Sequence, residues 1–263
     1  MDAEVDKIEE DSSEVKRVNM PKKNKFRMHA HINPFGNLTM PTPRNTRFVD
    51  WSIHYPSFFG VSKNNDNKIY TNTGKYQIAY DKEVERPIIA PTILDIGCGY
   101  GGLCFELTKI FPEKLILGME IRDKVINFVG EKINTKRNNS QYQEFMNIAA
   151  VRSNCMKTFH HYFEKESIDK IFFCFADPHF KKQNHRRRIV NTALLTEYAY
   201  CVKPGGMIYV VTDVKDLHDW EVQKLSEHPM FERLPVDMEK LNECELAMRE
   251  GTDEARKVIR NGG

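Results

Sequence analysis

The chain has 263 residues, 39 Lys+Arg against 37 Asp+Glu, and a formal net charge of +2. That length suits one generous α/β domain or two small ones. No apolar run approaches the ~20 residues of a membrane helix. The acidic start MDAEVDKIEEDSSEV has no apolar secretory stretch, so membrane and secreted classes are set aside.

Residues 1–25 are charged and aperiodic and are expected to form a disordered tail. Residues 1–14 hold seven acids and one Lys, whereas 16–48 hold eight Lys/Arg and no acid, a block that an anionic partner can read. Residues 26–87 read as an irregular basic and aromatic arm of one domain spanning 26–263. Trp51, Tyr55, Phe58 and Phe59 are expected to cover a core, or else to face a partner subunit. An Asn-rich loop follows at 61–74. From about residue 88, short apolar runs alternate with helical periodicity, the pattern of βαβ units and a parallel sheet. Strands are expected at 91–97, 114–121, 144–154, 168–178 and 206–214. Helices are expected at 102–111, 123–137, 155–164, 185–202 and 216–228, with loops over the sheet in the acidic stretch that ends at 254. Cysteines at 98, 104, 155, 174, 201 and 244 show no zinc-site spacing, which points to a reduced intracellular chain without a metal site.

The first strand runs into LDIGCGYGGL, where Gly97, Gly99 and Gly101 form a Gly-rich turn before a helix. Gly102 falls on the third glycine of the dinucleotide fingerprint, so spacing alone leaves a nicotinamide or flavin site open. Asp95 lies at the strand end. Glu120 closes the second strand, where an acid can accept both ribose hydroxyls of an adenosyl group; its plainer role is a pair with Arg122. Lys-Pro-Gly-Gly at 203–206 is the turn typical of S-adenosyl-L-methionine (AdoMet)-dependent methyltransferases and favours an AdoMet site. FADPHF sets Asp177 at the carboxyl edge of the fourth strand, beside the crevice where doubly wound sheets bind ligands.

In order, DIGCGYGG, LILGMEIR, RSNCMK, FADPHFKKQNHRRR, LTEYAY, TDVKDLHDW, HPMFERLP and RKVIRNGG resemble the eukaryotic branch of the tRNA (guanine-N7-)-methyltransferase family, as do KFRMHAHINP and DWSIHYPSFF in the arm. The resemblance runs from about Phe26 to the last residue. It implies a doubly wound, mostly parallel α/β sheet of the Rossmann-like class I AdoMet-dependent methyltransferase fold. It also implies methylation of N7 in a variable-loop guanosine of tRNA, a non-catalytic WD-repeat β-propeller subunit, and the nucleus as the usual place of action, with the cytoplasm as a second. On the cofactor positions of the family fall Gly97, Gly99, Glu120, Ile121 and Arg122, then Asn154, Cys155 and Cys174. Thr252 and Glu254 fall on a C-terminal Thr-x-Glu that closes over cofactor and base, and Asp177 on the catalytic acid. Two departures stand out: Ala176 replaces a usual proline, freeing φ in the loop that aims Asp177, and the chain stops at Asn-Gly-Gly where relatives continue, as in a trimmed or short form.

Guanine N7 carries a lone pair and no proton, so positioning rather than a general base is expected to supply the rate. A carboxylate such as Asp177 would stabilise the developing cationic base and read its N1–H and exocyclic amine; alternatively it caps the following turn. Lys181, Lys182, His185, Arg187 and Arg188 are assigned to tRNA phosphates, with Arg186 turned inward or paired with an acid. His160 and His161 are expected on a helix surface, His179 in a loop near the site, and Trp220 in packing. Two other readings stay open: an exocyclic-amine methyltransferase, which His179 in place of a proline opposes, and a tRNA-binding module without catalysis.

Overall fold

The computed structural model describes residues 17–29, 32–60, 69–84 and 89–262. Five strands, β1 (Ile93–Ile96), β2 (Ile116–Glu120), β3 (Ile148–Arg152), β4 (Ile168–Cys174) and β5 (Val202–Val211), form one all-parallel sheet in the order β3-β2-β1-β4-β5. Helices α1 (Gly102–Ile110), α2 (Asp123–Asn139), α3 (Cys155–Thr158), α4 (Thr192–Cys201), α5 (Lys215–Glu227), α6 (Glu243–Gly251) and α7 (Asp253–Arg260) complete the described elements. Among the described residues, no helix is long and apolar enough to cross a membrane.

Alternate strand residues enter two cores, one on each face of the sheet. Leu94, Ile96, Leu117, Met119, Ile171 and Phe173 join α4 and the arm on one face. Ile93, Ile116, Ile148 and Phe172 join α1, α2 and α6 on the other. The arm covers the core as expected: Trp51 stacks on Phe163 at 6.2 Å, and the buried Tyr55 hydroxyl donates to the Ile116 carbonyl at 2.9 Å. Each such buried side chain contributes on the order of 1.5–3 kcal/mol. Arg137 of α2 is buried as well, and its guanidinium donates to the Phe145, Ile148 and His54 carbonyls. Burial, reinforced by this neighbouring charge, pushes His54 down to about 3.

Several expectations need correction. Residues 1–16 of the expected tail lie outside the described residues, whereas 17–25 lie along α2. There the Val18 backbone exchanges hydrogen bonds with the Asn139 side chain, and Lys23 pairs with Asp253. The helix expected at 185–202 is two pieces: a 3-10 turn at Lys182–Arg187, then α4, whose N-cap Asn191 accepts from Leu194 N. Strand β5 begins before the Gly-rich turn, not after it. Ile168 pairs with Val202 and Lys170 with Met207, so residues 203–206 bulge out between them. Gly206 cannot carry a side chain there, since a Cβ would lie 2.6 Å from Val202 Cγ1. Finally, α6 and α7 replace the expected loops. Asn242 and Glu245 form a capping box on α6, and Thr252 caps α7.

Glycine at 102 is required by a close approach of chain to chain. A Cβ on it would lie 2.5 Å from the Gly251 carbonyl oxygen and 3.3 Å from Thr252 Cα, so α1 packs directly on the α6–α7 junction. Gly102→Ala should therefore destabilise despite the gain in helix propensity. Overpacking of about 1–3 kcal/mol is expected to lower the thermal midpoint by several degrees. A raised midpoint in differential scanning calorimetry would refute this packing.

Candidate active site

A cleft of about 340 Å³ opens at the carboxyl ends of β1 and β4, where the strand order reverses. Its cofactor end is the turn after β1. Gly97 and Gly99 hold left-handed backbone, with φ 78° and 51°. A Cβ at Gly97 would meet nothing within 4 Å, and one at Gly99 only Arg122 Nη2 at 4.0 Å, so both absent side chains leave room in the cleft. Gly97 N donates to Met119 O at 2.8 Å, tying the turn to β2.

Glu120 is buried and organises this end. One carboxylate oxygen accepts from Ile121 N at 2.8 Å and Arg122 N at 3.1 Å. The other accepts from Gly99 N at 3.2 Å and from the Arg122 guanidinium at 2.9 Å. The pairing with Arg122 is thus present, in a carboxylate that also lines the cleft. Ile121 and Arg122 line it too, as do Asn154, Cys155 and Cys174 from the ends of β3 and β4, and Thr252 and Glu254 from α7 and its cap. Asp95, at the end of β1, also lines the cleft, and burial pushes its carboxyl up to about 7 despite a hydrogen bond from Cys104 Sγ at 3.3 Å. Burial likewise pushes the Cys155 thiol up to about 12 and that of Cys174 well above its ordinary value, so both present neutral sulfur to the cleft. All six cysteines are free, and among the described residues no group of three or more His, Cys, Asp or Glu is placed to hold a metal ion.

The other end is the loop after β4. Phe175 and His179 are left-handed, at φ 53° and 44°, a cost of roughly 1–3 kcal/mol each for residues other than glycine. Between them Asp177 caps the turn by accepting from His179 N at 3.2 Å, with its second oxygen 3.6 Å from His179 Nδ1. The cap and the cleft-lining carboxylate are the same group.

The basic run divides by burial. Lys181 and Lys182 are exposed beside the loop. Arg187 is half-buried and lines the cleft, and its Nε has no hydrogen-bond partner among the described residues. Arg188 is a correction: its side chain is only 1% exposed and cannot reach a phosphate. His185 is half-buried, packs edge-on to Trp220 at 5.4 Å and sits 3.2 Å from an Arg188 nitrogen. Arg186, expected inward or paired with an acid, is exposed, with its guanidinium 5.7 Å from the Phe35 ring centroid. The 3-10 turn from Lys182 to Arg187 rotates neighbouring side chains to different sides, an effect that charge counting along the chain does not see.

Ile32 and Pro34 of the arm also line the cleft, and Asn154 Nδ2 donates to the Pro34 carbonyl at 2.6 Å. Sequence reasoning gave the arm core cover or a partner face and a basic track, but no place in the cleft. The proline after an Asn in HINP marked a fixed turn but not its destination. Tyr100 and Ser153 join the lining from beside residues that were singled out. Glu120→Gln keeps the size of the side chain but not the charge that gathers these donors. AdoMet affinity in calorimetry should fall about tenfold or more, as for the loss of a charged hydrogen-bond acceptor. Unchanged affinity would remove Glu120 from the cofactor end.

The family model Methyltransf_4, described as "Putative methyltransferase", matches residues 89–263. The tRNA (guanine-N(7)-)-methyltransferase of Kluyveromyces lactis is 43% identical over 259 residues, covering 98% of this chain and 86% of that protein. That of Debaryomyces hansenii is 43% identical over 247 residues, covering 93% and 77%. Among solved structures, geranyl diphosphate C-methyltransferase from Streptomyces coelicolor, in complex with S-adenosyl-L-homocysteine, aligns with a TM-score of 0.39 and 14% identity over 67% of this chain and 68% of that one. The glycine turn, the acid that closes β2 and the Asp-Pro loop after β4 thus meet in a chain that belongs to the tRNA (guanine-N(7)-)-methyltransferase family of AdoMet-dependent enzymes.

Proposed function

We propose that the chain transfers the methyl group of AdoMet to N7 of a guanosine in the variable loop of tRNA. The observation that carries this reading is the convergence, in one cleft, of the Glu120-organised glycine turn and the Asp177 loop, with Lys181 and Lys182 exposed at its side. AdoMet supplies an electrophilic methyl on a sulfonium, so the protein's task is alignment. Gly97, Gly99 and Glu120 would hold the adenosyl end, and Thr252 and Glu254 would close over it from α7. Asp177 would face the guanine edge, accepting from N1–H and the exocyclic amine and offsetting the positive charge that grows on the ring as N7 is alkylated. N7 has no proton to lose, which leaves no step for a general base. Arg187, which lines the cleft, would meet the extruded nucleotide, and Lys181 and Lys182 the phosphates around it. Lys23 pairs with Asp253 and Arg47 with Glu83, so the basic track along the arm is shorter than its charge count suggests.

The arm and the sheet would act as one domain. The resemblance further supports a WD-repeat β-propeller partner and action in the nucleus, open to pull-down and to imaging of the tagged chain.

The deciding assay is transfer from labelled AdoMet to unmodified tRNA, mapped by borohydride/aniline cleavage, with and without a WD-repeat subunit. Cleavage at one variable-loop guanosine is expected, with kcat lowered about 10²–10³-fold in Asp177→Ala. AdoMet binding without transfer to any tRNA would overturn the reading. A second outcome concerns the rim. In Lys181→Ala and Lys182→Ala the log–log slope of tRNA affinity against salt should shrink by about 0.7–0.9 per lost contact, and an unchanged slope would remove these lysines from the interface.

A further inference from the structure

Arg188 ends the exposed basic run, yet its side chain is 1% exposed. Taking a guanidinium out of water is costly and is offset by the partners that it meets. Its Nε donates to the Pro178 carbonyl at 2.8 Å, one residue beyond Asp177. A terminal nitrogen is ion-paired with Asp216 of α5. The guanidinium also lies over the Trp220 ring, 4.9 Å from its centroid, and Trp220 Nε1 donates to the Val190 carbonyl at 2.7 Å. Glu221, buried on the same helix, feels the same charge, and Arg188 Nη1 and Glu221 Oε2 are both without hydrogen-bond partners among the described residues. The cluster sits behind the Asp177 loop rather than in the cleft.

The loop needs an anchor of this kind. Its first residue is tied to the sheet by Phe175 N donating to Val211 O at 2.8 Å, but the left-handed residues 175 and 179 give it no local preference for its observed shape. Ala176 supplies no ring to restrict φ. The bond from His179 N to Asp177 curls the loop on itself. Arg188 supplies an attachment from outside the loop, at the carbonyl of the residue that follows Asp177.

We propose that Arg188 is a positioning residue for methyl transfer: through the Pro178 carbonyl it sets the direction of the Asp177 carboxylate, while Asp216 and Trp220 of α5 hold the guanidinium in place. This rests on the reading that Asp177 faces the guanine. A phosphate contact would act on tRNA binding, and a mere strut would act on stability. A positioning role acts on turnover.

The test uses the full chain with any partner that the wild type requires, comparing Arg188→Lys and Asp216→Asn with wild type in steady-state transfer to unmodified tRNA, AdoMet calorimetry and thermal unfolding. Arg188→Lys keeps the charge and loses the fork. It should lower kcat about tenfold to a hundredfold, with tRNA KM and AdoMet affinity kept within about twofold. Asp216, which is 62% exposed, can be changed without opening the core, and Asp216→Asn should lower kcat severalfold in the same pattern. A raised tRNA KM at unchanged kcat would overturn the proposal in favour of a phosphate contact. A lowered midpoint with unchanged kcat per folded enzyme would overturn it in favour of a strut. If Arg188→Lys fails to fold, Asp216→Asn decides, and an unaltered kcat there counts against the proposal. No transfer by the wild type would overturn the tRNA reading and this one with it, whereas transfer by the wild type with unaltered kcat in the variants would overturn only the role of Arg188.

Discussion

Hydrogen bonding between β1 and β4 is the constraint from which the site follows. Ile93 lies beside Lys170, Leu94 beside Ile171 and Asp95 beside Phe172, so two strands distant in sequence end at the same edge of the sheet. The glycine turn leaves the end of β1 and the Asp177 loop the end of β4, and because the chain goes on from β1 to β2 on one side and from β4 to β5 on the other, the two loops part and leave a crevice between them. The bulge at 203–206 completes the arrangement. It brings Met207–Val211 into register with β4, and Val211 then receives the Phe175 amide that begins the Asp177 loop.

Buried charge in this protein is spent chiefly on backbone. Arg137 donates to three carbonyls, one of them in the arm. Glu120 gathers amides of the glycine turn and of its own strand end, and Arg188 reaches the Pro178 carbonyl. Each pinned segment is irregular chain without a ladder of its own, where buried amides and carbonyls must find other partners. A carboxylate or guanidinium can serve several such groups at once, which an uncharged side chain of the same size cannot do, and those bonds offset the cost of desolvation.

What was legible in the chain was whatever depends on short range. The apolar runs and the glycine spacing located all five strands, the turn after β1 and helices α1 and α2 within a few residues. The place of Asp177 at the cleft was visible because the Asp-Pro step directly follows the apolar run of β4, at its carboxyl edge. The two C-terminal helices were missed although Asn242 and Glu245 stand three apart as a capping box, because an acidic stretch with a narrow apolar face resembles loop when read by composition. Which arginine turns inward was not legible at all. The 3-10 turn and the facing residues of α5 decide that Arg188 is buried and Arg186 exposed, and neither partner is local in sequence. The same holds for Pro34, whose carbonyl meets Asn154 only after the arm has crossed the sheet face.

The sulfur chemistry has a practical side. All six cysteines have thiols raised above their ordinary value, and five of them are buried, the exception being the half-buried Cys174 at the cleft wall. Thiolate is the form that alkylates, so maleimide and iodoacetamide find little to attack on the folded chain. A single cysteine introduced on the outer face of α5 can therefore carry a fluorophore or spin label without removal of the native six, giving a direct optical or magnetic view of that helix as tRNA arrives.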